Sequence, residues 1–325
     1  MLVSQENATF AANQIIIFMI NRVLIRLKVV QILYAYYKNS GKSMKAAEDE
    51  VFFSLSKAYD LYNYMLLLMA GITHYAADRI SFKSMKLRPT DSDINPNLKF
   101  VNNRFIAQLE VNTALCKFAE KSKVNWVEHS DLLRRLLDRI EESDIYKEYM
   151  ASETSSYEED RELWRKLYKT FIFDNEELDA LLEEQSLYWN DDKSIVDTFV
   201  LKTIKRFEES AGADQQLLPE YKDLNDMDFA RKLFRTAVSK ADEYRELMGE
   251  NSKNWDMSRF AFMDVVIMQV ALAEILTFGD IPLSVSLNEY VEIAKYYSTA
   301  KSGSFVNGLL DSITKKLRAE GILNK

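Results

Sequence analysis

Residues 302–311 read SGSFVNGLLD, and how this decapeptide is read decides the fold. Val306, Leu310, Ile313 and Leu317 recur at spacings of four, three and four, the stripe of an amphipathic helix. Asn307 and Gly308 stand side by side within it. A glycine in a helix interior costs about 1 kcal/mol against alanine. The expectation is that Gly308 lets this helix approach a neighbour closely, and that Asn307 satisfies a backbone group at the junction, so that packing offsets the cost.

Outward from this stretch the same rhythm fills most of the chain. Its 325 residues hold only eight glycines and four prolines, with 47% hydrophobic and 28% charged residues. So few breakers among apolar residues at helical spacing predict an all-α protein. The lone Cys116 excludes an internal disulfide framework and fits a reducing, cytoplasmic setting. His74 and His129 lie far apart in sequence, so no metal site is expected. The net charge of −8 means that any nucleic-acid binding must come from a local basic patch. No apolar run reaches the ~18 residues of a membrane span. The start, MLVSQENATFAANQIIIFMI, lacks the basic opening of a signal peptide. Residues 1–18 read as a disordered leader, and translation could begin at Met1 or Met19.

Breaks divide the remainder. A basic helix over 20–38 stops at NSGKS, and a long helix follows from about Ser43 to Ile80. SFKSMKLRPTDSDINPN (81–97) and ESAGADQQLLPE (209–220) bracket a middle block, residues 81–220, with helical patterns over 98–150 and 158–209. The organisation is thus a leader, an N-terminal unit over 19–80, a helical insertion over 81–220 and a C-terminal unit over 221–325. A repeat links the last two. RKLYKT at 165–170 aligns with RKLFRT at 231–236, an offset of 66 that also sets Trp189 against Trp255, Leu178 against Tyr244 and Leu182 against Met248. The insertion therefore reads as a degenerate duplicate, with residues 165–200 expected to superpose on 231–266; two unrelated amphipathic helices are the other reading.

No phosphate-cradling glycine loop, Cys/His ligand set or nucleophile elbow occurs, so neither an enzyme nor a cofactor is expected. Two stretches stand apart. In NRVLIRLKVVQILYAYY (21–37), Arg22 and Arg26 fall one turn apart, Lys28 adds a third cation, and no acid intervenes. Cations at a helix N-terminus are opposed by the macrodipole, which points to another use such as phosphate contact. A basic surface tip on a core helix is the other reading. Near the C-terminus, Asp280-Ile-Pro282 precedes Ser286-Leu-Asn-Glu289, which fits a capping box. The loop YYSTAKSGS then offers backbone N–H groups and hydroxyls.

These two stretches resemble the NusB transcription-antitermination family. The matching residues are Gln31-Ile-Leu-Tyr34, Glu274-Ile, Asp280-Ile-Pro282, Leu287-Asn-Glu289, Glu292-Ile-Ala-Lys295 and Phe305-Val-Asn-Gly-Leu-Leu-Asp311. The resemblance covers about 20–75 and 225–320 and implies a pair of three-helix bundles, here enlarged by a helical insertion. It further implies an RNA-binding antitermination factor that pairs with NusE, a ribosomal small-subunit protein, on boxA-type single-stranded RNA within the transcription elongation complex. By position, Arg22, Arg26, Lys28, Tyr34, Lys301, Ser302 and Phe305 would face RNA, and Asp264 would face NusE. Arg22, Arg26 and Lys301 would then form one positive surface. Val23 and Leu24 stand where relatives have a denser arginine cluster. This departure favours the alternative, a protein-interaction scaffold of the same fold with weak or no RNA binding. An RNA methyltransferase, a third class that uses such a fold as a module, is disfavoured by the missing glycine-rich cofactor motif.

Overall fold

Asn21 starts the first helix by turning its side-chain oxygen onto the backbone N–H of Leu24, 3.0 Å away. In this computed structural model, which describes residues 19–325 apart from 40, 123–124, 155, 190, 222–223 and 253–259, helix α1 spans Arg22–Lys38. The expected leader, 1–18, lies outside the described residues. Ser43 caps α2 (Met44–Ser84) through the N–H of Ala46. At 41 residues α2 is about 60 Å long, and it runs one turn past the expected end at Ile80. No strand occurs among the described residues, and no helix among them is long and apolar enough to cross a membrane.

Two bundles follow from which faces are apolar. Helix α1 and α2 pack with α11 (Leu224–Ser239), whose buried face is Phe229, Ala230, Leu233, Phe234 and Ala237. The second bundle joins α12 (Ala241–Asn251), α13 (Phe262–Thr277), α14 (Leu283–Tyr297) and α15 (Ser302–Ala319). Helix α13 is buried almost all round, from Val266 to Ile275, because it also touches α1 and α11 and so belongs to both bundles.

Polar caps cut the middle block into shorter pieces than its apolar rhythm predicts. Asn103 caps α4 (Arg104–Glu110) through Ile106 N–H. Asn112 accepts from Leu115 N–H at the start of α5 (Thr113–Ser122) and donates to Gln215 O at 2.7 Å. Helix α6 spans Ser130–Glu142, and Ser143 then caps α7 (Asp144–Ala151). Ser156 forms a full capping box with Glu159 on α8 (Tyr157–Leu167), which continues through a π-helical turn to Ile172. Asn175 caps α9 (Glu176–Gln185), and α10 spans Lys193–Arg206. The block packs along α2 rather than dangling. Trp126 stacks on Tyr64 at 4.1 Å and donates its Nε1–H to the Tyr64 carbonyl. Tyr62 shares a 2.7 Å hydrogen bond with Thr203. Gly71 permits this approach: a Cβ there would stand 3.0 Å from Trp126 Cβ.

The middle block keeps the helix order of the C-terminal half. Residues 157–172, 176–185 and 193–206 are followed, in the same succession, by 224–239, 241–251 and 262–277. At the 66-residue offset, Leu163 and Phe229, Tyr168 and Phe234, Leu178 and Tyr244, and Leu182 and Met248 are all buried pairs. Trp255, the counterpart of Trp189, lies outside the described residues. A further correspondence appears only in three dimensions. Asn103-Arg104 opens α4 as Asn21-Arg22 opens α1, and Arg104 approaches Asp160 at 3.9 Å as Arg22 approaches Asp226 at 4.0 Å. Asp160 and Asp226 again differ by the same offset.

Candidate nucleic-acid interface

Each cation on the N-terminal half of α1 meets an acid from elsewhere. Arg22 reaches Asp280 at 3.6 Å and Asp226 at 4.0 Å, and its guanidinium lies 4.9 Å from the centre of the Phe229 ring. Arg26 is only 3% exposed and pairs with Glu274 through Nε to Oε2 at 2.7 Å and Nη2 to Oε1 at 3.0 Å. Glu274 is fully buried and accepts further hydrogen bonds from Ser286 Oγ (2.7 Å) and Tyr290 OH (3.0 Å). Burial works against the Arg26 charge, yet the Glu274 carboxylate outweighs it and lifts the guanidinium pKa above its ordinary value. Burial and the same carboxylate push the Tyr290 phenol well above its usual range. Lys28 is likewise buried, 2.7 Å from Asp192 Oδ1 and 3.0 Å from the Tyr188 carbonyl.

These positions correct the sequence expectation. Arg26 and Lys28 are interior ion pairs, so neither side chain is placed to touch a phosphate. Arg22 stays partly exposed but is paired, and Arg22, Arg26 and Lys301 do not form one positive surface. Nor does Ser286 cap a helix. Helix α14 already begins at Leu283 behind Pro282, which leaves Ser286 in the interior with its hydroxyl on Glu274. Ser302 is 1% exposed, and its Oγ accepts from Thr299 N–H and lies within hydrogen-bond distance of the hydroxyls of Thr299 and Ser298. The loop before α15 thus turns its hydroxyls onto one another. Asp264 is 4% exposed in the first turn of α13, with no hydrogen-bond partner for Oδ1 among the described residues, so its side chain is not part of a surface. Asn307 and Gly308 point to solvent, and nothing lies within 4 Å of a Cβ built on Gly308. The close approach is made one turn earlier, where a Cβ on Gly303 would stand 2.6 Å from Lys295 Cγ.

The other end of α1 is different. Tyr34 is half-buried, its ring 5.3 Å from Phe262, and Tyr37 meets the same Phe262 edge-on at 6.2 Å. Lys38, one turn after Tyr34, is exposed with its Nζ 4.5 Å from the Phe262 ring centre. Two residues before Phe262, Phe260 packs on Phe305 of α15 at 4.6 Å. Lys301, exposed at the start of α15, stands one turn before Phe305. The start of α13 therefore joins the Tyr34 pair and the Phe305 pair into one half-exposed aromatic seam. Lys38 and Lys301 flank it and make no ion pair among the described residues. Stackable rings beside free cations are the elements of a single-strand platform.

The sequence model of the NusB family matches residues 198–315, from within α10 to α15. The chain is 38% identical over 132 residues to the transcription antitermination protein NusB of Salinibacter ruber, covering 39% of this chain and 82% of that one. This chain belongs to the NusB family. The NusB of Chloroherpeton thalassium is 37% identical over 103 residues (32% and 49% of the two chains), and that of Finegoldia magna 39% over 92 residues (28% and 67%). Measured against these NusB proteins, the chain is an enlarged, all-helical member. Three contributors to its seam escaped the sequence reading. Lys38 was open to it through its four-residue spacing from Tyr34, whereas Phe260 and Phe262 join the seam only through the folded approach of α13 to α1 and α15.

Proposed function

We propose that this NusB-family protein is an RNA-binding antitermination factor that holds single-stranded, boxA-type RNA of nascent ribosomal transcripts together with NusE. The observation that carries the reading is the aromatic seam of Tyr34, Phe262, Phe260 and Phe305 with Lys38 and Lys301 beside it. The printed role of its relatives, transcription antitermination, supports the same reading. Its work is binding rather than catalysis, and its setting is the cytoplasm, where nascent transcripts form. In this proposal Tyr34, Phe305 and Lys301 keep the RNA-facing role implied by resemblance, whereas Arg26, Lys28 and Ser302 serve the fold. Pairing with NusE rests on the resemblance alone, without Asp264 as a surface contact.

The test is a titration of labelled single-stranded RNA, with and without NusE, over a range of salt. Tyr34→Ala is expected to cost about 1–3 kcal/mol of RNA binding with little change in salt slope. Lys38→Ala with Lys301→Ala is expected to flatten the log–log slope by roughly 1.4, about 0.7 per phosphate contact. Unchanged affinity and slope in both variants would leave the scaffold reading, which the neutralised cations of α1 and the net charge of −8 favour. The middle block, in the same proposal, is a degraded copy of the family's own helices rather than a foreign domain.

A further inference from the structure

The cleft over the N-terminal half of α1 is built by the insertion, and it is acidic. Two side-chain donors on α1, Lys28 Nζ and Gln31 Nε2, lie one turn apart on one face. Both are occupied from within the chain. Asp192 Oδ1 sits 2.7 Å from Lys28, the Tyr188 carbonyl accepts from it at 3.0 Å, and Asp191 Oδ2 accepts from Gln31 at 2.9 Å. Beside them opens a cleft of about 670 Å³ with Val23 and Leu27 of α1 among its lining. Asp174, Asp179 and Asp191 line it from the insertion, and Glu289 and Glu292 from α14. Its lysine, Lys193, is buried and held by Asp197 at 2.7 Å and Asp179 at 3.2 Å. The segment is anchored. Trp189 donates its Nε1–H to the Lys57 carbonyl at 2.8 Å and stacks on Tyr64 at 5.6 Å.

We propose that Asp191 and Asp192, with the carboxylates lining the cleft, form an intramolecular shield that excludes RNA phosphates from the N-terminal half of α1. The proposal rests on the RNA-binding reading above and deepens it. The carboxylates take the hydrogen-bond positions that phosphate oxygens would take, and the cleft repels a polyanion by charge. Binding is thereby confined to the aromatic seam at the other end of the helix. This also accounts for the neutralised charge of Lys28, while Arg22 and Arg26 are paired by Asp226, Asp280, Glu274 and Glu289 from outside the insertion.

The experiment uses the full chain, a fluorescein-labelled oligouridine as probe, and anisotropy titrations over a range of salt, with thermal melting as the check on folding. Asp191→Asn/Asp192→Asn keeps shape and one carbonyl acceptor on each side chain while removing both charges. Asp174→Asn/Glu292→Gln removes charge from the cleft lining at exposed positions that pair with neither buried lysine, and Asn tolerates the positive φ of 51° at residue 174. The first variant is expected to bind about fivefold tighter near 0.1 M salt, with the gain shrinking as salt rises, because two charges that repel the polyanion are removed while Lys28 stays buried. The second is expected to bind more tightly in the same direction, and it carries the test if the first fails to fold. Folded variants with wild-type affinity and slope, while Tyr34→Ala weakens binding, would overturn the shield and leave the RNA reading intact. No RNA binding by any protein, wild type included, would overturn both.

Discussion

Replacing Arg26 by alanine should damage the fold and spare the RNA. Arg26 donates two hydrogen bonds to the fully buried Glu274 and is itself 3% exposed. Its removal leaves that carboxylate with the hydroxyls of Ser286 and Tyr290 and without its ion-pair partner. Breaking a buried pair from one side costs about 3–5 kcal/mol, because a charge is stranded in the interior. At about 2–4 °C per kcal/mol for a domain of this order of size, Tm should fall by roughly 10 °C. The damage should fall on the junction of the bundles, because Arg26 is on α1, Glu274 on α13 and Tyr290 on α14. Circular-dichroism melts of Arg26→Met, Glu274→Gln and the double variant complete the cycle. The double variant should recover much of the loss, since no unpaired charge remains. An Arg26→Ala protein that melts like wild type, but whose RNA salt slope falls by roughly 0.7, would refute the burial argument.

The remaining predictions concern helix α15 and the insertion. Gly308→Ala, at an exposed helical site with open space around it, should stabilise the protein by about 0.4–1 kcal/mol, whereas Gly303→Ala should destabilise it by pushing Lys295 aside. Equal effects of the two in urea unfolding would contradict the packing described. Burial pushes the Asp192 carboxyl up to about 6, against the pull of Lys28. Between the unfolded value of about 3.9 and this one, the folded chain holds a proton that the unfolded chain has lost, so the group adds stability as pH falls through that window. The stability of wild type relative to Asp192→Asn should therefore be greater near pH 5 than near pH 7, and an unchanged difference would tell against the assignment.

What the sequence disclosed was local, and what it hid was carried by distant partners. The stripe of Val306, Leu310, Ile313 and Leu317 marks the buried face of α15 because neighbours on one helix suffice to define it. The cost of Gly308 was equally visible, but not which face it occupies; the close contact belongs to Gly303. Arg22 and Arg26 looked like a solvent pair by their four-residue spacing, yet the acid that draws Arg26 inside is 248 residues away. Lys28 depends on the middle block in the same way, its backbone acceptor lying 160 residues on. Ser286 had the pattern of a capping box, but the helix had already begun, and a buried carboxylate claimed the hydroxyl. Tyr34 and Phe305 stand out singly in the sequence; that Phe262 and Phe260 link them is a property of how α13 crosses between the bundles.

In the proposed function, RNA lies on the seam at the C-terminal end of α1. RNA on that seam is detected by photocrosslinking a bromouridine-substituted single-stranded RNA to the 325-residue chain and reading the attachment sites by mass spectrometry. Crosslinks are expected at Tyr34, Phe260, Phe262 or Phe305 and should disappear when unlabelled RNA competes. Crosslinks concentrated on the N-terminal half of α1 or on the acidic cleft, with none on these rings, would contradict it.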